Sequence, residues 1–158
     1  MKALIIISFL VAFLLSTVHF DYQWRWFRPE FAVLLLIYWS MFAPQHFGLI
    51  SAWLVGLIMD LISLYPLGFH ALGALLISYI SFLVYRRISN YVFWHQAVWV
   101  FVLVATYKLF SNWLGGFFDK TIDSPVFLVS AVFSALLWPL LVALLNHVQT
   151  YFRLSNDL

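Results

Sequence analysis

Six stretches of nearly uninterrupted apolar residues dominate the chain: Ala3 to His19, Phe31 to Ala43, Phe47 to Tyr65, Leu67 to Tyr85, Ala97 to Phe118 and Val126 to Leu145. Only short polar connections separate them. With 65% of its 158 residues hydrophobic and 9% charged, the chain cannot present the polar surface that a water-soluble globule of this size needs. Lipid is therefore the expected solvent, and the runs read as helices. The expectation is an all-α, polytopic transmembrane bundle of about six helices, forming one domain over residues 1–158.

The second run is the shortest. Its 13 or so residues reach only ~20 Å, less than the ~30 Å hydrocarbon core, so a thinned or partly re-entrant span is expected there. Pro29 fits its first turn and Pro44 marks its end, while Pro66 divides the third and fourth runs with almost no loop. Spans two to four should therefore form tight antiparallel hairpins. The first run follows Lys2 but is not closed by a small-x-small cleavage site, since Ser16 to His19 lead into aromatic and charged residues. It reads as an uncleaved helix.

With both termini cytoplasmic, Lys2, Arg86, Arg87 and Arg153 lie inside, and Arg25, Arg28 and Lys120 outside. The Arg86-Arg87 pair is the strongest local signal for that orientation. Trp24, Trp26 and Phe27 before the second span, and Tyr91, Phe93 and Trp94 before the fifth, fit interfacial aromatic belts.

The net charge is +2, but the Lys and Arg residues form no stripe, which argues against nucleic-acid binding. The absence of cysteine removes disulfides and thiolate chemistry. Among the histidines, His19, His46, His70, His95 and His147 sit near span ends without metal-ligand spacing, so interfacial hydrogen bonding is expected of them. No phosphate-binding loop, metalloprotease helix or nucleophile elbow occurs, and Ser63 one turn after Asp60 is a weak dyad. No catalytic, metal or cofactor role is assigned.

Two charged residues interrupt apolar runs. Asp60 lies in the third, where an uncompensated carboxylate is unfavourable by roughly 2.5–3.5 kcal/mol, so something must satisfy it. Gly48, Ala52, Gly56 and Asp60 recur at every fourth position and share one helix face. Such a ladder of small residues allows close backbone approach, either within the bundle or to a partner helix. Ala71, Ala74, Ser78 and Ser81, and Ser130, Ala131, Ser134 and Ala135, form comparable faces on the fourth and sixth spans. Lys108 lies near the middle of the fifth span, at a depth that permits pairing with Asp60 as one possibility; a snorkelling lysine is the other.

Taken in order, Arg28-Pro29-Glu30, Ile37-Tyr38-Trp39, Pro44, Gly48, the Gly56 to Ser63 stretch with Asp60, Leu67-Gly68 and Trp138-Pro139 make the chain resemble the rod shape-determining MreD family over nearly its whole length. Glu30 satisfies the acidic or amide position after the proline; Lys108 matches no feature of the family pattern. The resemblance implies a non-enzymatic scaffold of the bacterial inner membrane. It would bind MreC, connect MreB filaments to RodA and a class B penicillin-binding transpeptidase, and so help to place lateral peptidoglycan synthesis. The alternative is the substrate-binding membrane subunit of a vitamin transporter. Asp60, Lys108, Tyr107 and Asn112 are then the main intramembrane polar candidates.

Overall fold

The computed structural model describes residues 2–17, 30–88, 93–117 and 127–156, and each apolar run forms a helix in it. The elements are α1 (Lys2–Thr17), α2 (Phe31–Phe42), α3 (Leu49–Ser63), α4 (Phe69–Ile88), α5 (Phe93–Gly116) and α6 (Phe127–Asn156), with no strand among the described residues. Two helices are long and apolar enough to cross a membrane, over Trp94–Gly116 and Val129–Tyr151. The other four are shorter apolar helices. The largest departure from the sequence boundaries is α6, which continues eleven residues past Leu145 to Asn156. Asn146 and Gln149 both bond Tyr38 of α2, so side-chain anchors hold the helix beyond its apolar run.

The shortest helix is the centre of the molecule. Every residue of α2 from Ala32 to Met41 is buried, and α1, α4, α5 and α6 all pack around it. A helix that is apolar on every side is stable only when enclosed. At ~18 Å, α2 cannot span a hydrocarbon core by itself, but its neighbours rather than lipid meet its side chains. The thinned span expected from the sequence is thus a sheathed core helix.

Polarity is distributed inside out. Ser40, Asp60, Ser78, Ser81, Gln96, Ser111, Ser130 and Ser134 are buried. Large apolar side chains such as Ile7, Leu14, Ile50, Leu61, Leu83, Val98, Trp113, Leu136 and Leu144 are exposed. Water would penalise that surface, whereas hydrocarbon does not. Because lipid tails are as apolar as leucine, cohesion between these helices rests on close packing and polar contacts. Ser40 donates to Ser78 (3.2 Å), Trp39 Nε1 to Ser8 (3.0 Å) and Trp138 Nε1 to Gln96 Oε1 (3.3 Å), tying α2 to α4, α2 to α1 and α6 to α5.

Candidate functional site

The connection between α3 and α4 is only five residues long and bends back through two left-handed positions, Leu64 (φ 54°) and Gly68 (φ 102°). Leu64 and Tyr65 both donate backbone N–H groups to the Asp60 carbonyl, closing α3. This brings the last turn of α3 against the first turn of α4, where helix N–H groups have no intrahelical acceptor.

Asp60 fills that gap. Its Oδ2 accepts from the N–H groups of Gly68 (2.8 Å) and Ala71 (3.4 Å), and its Oδ1 accepts from the N–H of His70 (2.7 Å) and from His70 Nδ1 (2.8 Å). The carboxylate is 0% exposed. An anion at a helix N-terminus is favoured by the orphan donors and by the partial positive charge there. Asp60 therefore acts as a side-chain cap for α4, supplied by α3. Tyr65 stacks on Phe69 and meets His70 edge-on, with ring centroids 4.7 and 5.0 Å apart, which holds the imidazole in place.

Lys108 is not the partner of Asp60. Its Nζ pairs with Glu30 Oε1 at the N-terminal edge of α2. The reason is local: backbone donors and His70 already occupy both Asp60 oxygens, while Glu30 faces α5. The Glu30 N–H also donates to Ser134 Oγ (3.1 Å), joining α2 to α6. The sequence reading missed both the Glu30–Lys108 pair and the Asp60–His70 contact. Pro66 and Gly68 carried a signal for the second, since a tight turn after an acid near a helix end delivers that acid to the next helix's first turn.

These groups share one level. Glu30 precedes α2, Asp60 lies three residues before the end of α3, and His70 is the second residue of α4. Lys108 and Ser134 meet that level from α5 and α6. Glu30 and Asp60 thus lie where α2 begins and α3 ends, while Lys108 reaches that level from within the Trp94–Gly116 stretch of α5 that is long and apolar enough to cross a membrane. Beyond this plane α5 continues for the eight residues from Leu109 to Gly116, ~12 Å of helix.

The small-residue ladder is an internal seam. A Cβ on Gly56 would stand 2.4 Å from Ala71 Cα and 3.0 Å from Ala74 Cβ, so α4 already occupies this face. Ala52 is likewise fully buried. Gly48 does not belong to the seam: it caps α3 in an extended conformation, and a Cβ there would meet nothing within 4 Å. On α6, Ser134 and Ala131 are buried too, with Ser134 Oγ donating to the Ser130 carbonyl (2.7 Å). Neither face is open to a partner helix.

The remaining motif residues fall mainly in the core. Tyr38 donates to Asn146 Oδ1 (2.7 Å) and contacts Trp138, which is fully buried beside Pro139 within α6. Arg28 and Pro29 lie outside the described residues. Ser63 is exposed. Among the described residues no three His, Cys, Asp or Glu side chains converge as metal ligands.

Two open grooves flank α1, which packs chiefly on α2. The first, about 480 Å³, lies between α1 and α3 and is lined by Phe9, Phe13, Leu54, Val55 and Ile58, with His46 and Ser51 as its polar members. The second, about 330 Å³, lies between α1 and α6 over Phe31 and Leu35.

A family model described as rod shape-determining protein MreD matches residues 1–148. Rod shape-determining protein MreD of Haemophilus influenzae is 27% identical over 150 residues, covering 92% of this chain and 90% of the relative. No solved structure matches.

Proposed function

The chain belongs to the MreD family of rod shape-determining proteins, and on that premise we propose that it is a non-enzymatic scaffold of the bacterial cell-elongation complex. In this reading it resides in the inner membrane as a multi-pass protein with both termini cytoplasmic, and the Glu30–Asp60–Lys108 end of the bundle faces outward. It binds MreC directly. Through that contact it links MreB filaments to RodA and its class B penicillin-binding transpeptidase, so that peptidoglycan is inserted along the side wall.

The observation that carries the scaffold reading is the placement of polar groups. Asp60 has no free oxygen to offer a substrate, because four donors converge on its carboxylate. What the exterior offers is apolar helix surface and grooves. The α1–α3 groove is the larger, and His46 and Ser51 provide the polar contacts that strengthen helix association in lipid. It receives the single transmembrane helix of MreC. The α1–α6 groove, lined almost wholly by apolar side chains, takes acyl chains.

Depletion in its host followed by microscopy tests the role. Loss of the protein should turn rods into widening, rounded cells before growth stops. Unaltered shape accompanied by a nutrient requirement would overturn it in favour of transport.

A further inference from the structure

The plane at which α2 begins holds more polar chemistry than the fold itself uses. Glu30 and Lys108 pair there while remaining 28% and 17% exposed, so both can be reached from the bundle surface. Three hydroxyls accompany them, each more than nine-tenths buried and none bonded to a group outside the three: Tyr107 and Ser111, which lie within reach of one another, and Ser130. Tyr107 neighbours Lys108 in sequence, and its ring lies against Gly73 and near His70. Its hydroxyl lies close to Ser111 and to the Glu30 carboxylate. Ser130 lies one turn beyond Ser134, the residue that accepts the Glu30 N–H. Buried hydroxyls left short of partners in an apolar setting are unfavourable, and a cluster of them marks a place where something else completes the bonding.

The level of the cluster narrows what that is. It coincides with the start of α2, the end of α3 and the start of α4, so three helices terminate there while α5 continues ~12 Å past it. In the orientation proposed above this is the outward end of the bundle, the side on which those three helices meet lipid headgroups. A cation and three hydroxyls suit a phosphodiester, which accepts hydrogen bonds only. The carboxylate beside them would repel a purely anionic ligand and calls for an ammonium that can donate to it.

We propose that Glu30 and Lys108, backed by the hydroxyls of Tyr107, Ser111 and Ser130, form a site for the phosphoethanolamine headgroup of one membrane phospholipid. The phosphate takes Lys108 and the hydroxyls, and the primary ammonium takes Glu30. The internal ion pair is thereby exchanged for two external ones, with no charge left uncompensated. Phosphatidylglycerol offers Glu30 no cation. Phosphatidylcholine offers a quaternary ammonium that cannot donate a hydrogen bond. The site is independent of the α1–α3 groove and of MreC.

Native mass spectrometry of the purified full chain, offered equal amounts of phosphatidylethanolamine, phosphatidylcholine and phosphatidylglycerol, tests the proposal. Phosphatidylethanolamine should be retained about tenfold over each of the others. Lys108→Met should erase the preference and Tyr107→Phe should weaken it, with helicity by circular dichroism unchanged in both. Soluble phosphoethanolamine at the same concentration should not displace the lipid. Equal retention of the three lipids overturns the site without recourse to any variant. A preference that survives Lys108→Met places the lipid elsewhere, and displacement by soluble phosphoethanolamine shows that the ligand is not a lipid.

Discussion

At the scale of single residues, the structure reassigns the charged groups and makes their roles measurable. Asp60 is conspicuous in the sequence because an acid inside an apolar run demands compensation. What compensates it is mostly backbone, which a side-chain pattern does not display, and that is why Lys108 looked the natural partner. Asp60→Ala would leave the first turn of α4 and His70 without their acceptor. The expected loss is about 2–4 kcal/mol, since each charge-assisted bond contributes about 1.5–3 kcal/mol and relaxation recovers part. Thermal unfolding of the detergent-solubilised protein reads this, and an unchanged transition would contradict the capping role. Gly56 and Gly73 offer a paired test. A methyl at Gly56 meets the α4 backbone at Ala71, but at Gly73 it meets the edge of the Tyr107 ring at 2.8 Å. A buried ring can shift by tenths of an ångström more readily than a helix backbone, and the contact at Gly56 is the closer of the two, so Gly56→Ala should lower the melting temperature clearly more than Gly73→Ala. The reverse order would mean that the α3–α4 seam is looser than described.

At the scale of elements, helix number and order were legible because the apolar runs are nearly uninterrupted and the prolines and glycines punctuate them. Less legible was what each helix faces. The short second run looked like a re-entrant span when set against the thickness of a bilayer. Its length is explained instead by the residues 32–41, which are buried on all sides. The small-residue ladder signalled close contact but not with which helix, because α4 and a foreign helix present the same demand for space. The level of the polar plane was also hidden, since α5 and α6 run past it without a break in hydropathy. The absence of cysteine gives a clean background for measuring that level. In intact cells, Phe117→Cys, exposed at the far end of α5, should react with an impermeant maleimide, whereas lipid-facing Val102→Cys should not. His147→Cys, on the opposite side of the bundle, should react only after permeabilisation. Labelling of His147→Cys in intact cells would invert the proposed topology.

At the scale of the whole molecule, the buried polar groups and the exposed leucines, isoleucines and tryptophans agree with a membrane protein of the MreD family, and they leave few ways to act. The sequence pointed to a partner-binding face on α3, but the Gly56 side of that helix is consumed by α4. The opposite side, with Leu54 and Ile58 along α1, stays open as a groove. Which of the two sides is free depends on the tertiary neighbours, and no residue pattern within α3 encodes that. In the function proposed above, this groove holds the transmembrane helix of MreC. The direct measurement is co-purification of MreC with the chain carrying Leu54→Trp and Ile58→Trp, beside a control in which exposed Leu83 of α4 becomes Trp, all at equal membrane levels. Filling the groove should abolish MreC recovery while the Leu83→Trp control retains it; undiminished recovery with the groove filled would contradict the assignment.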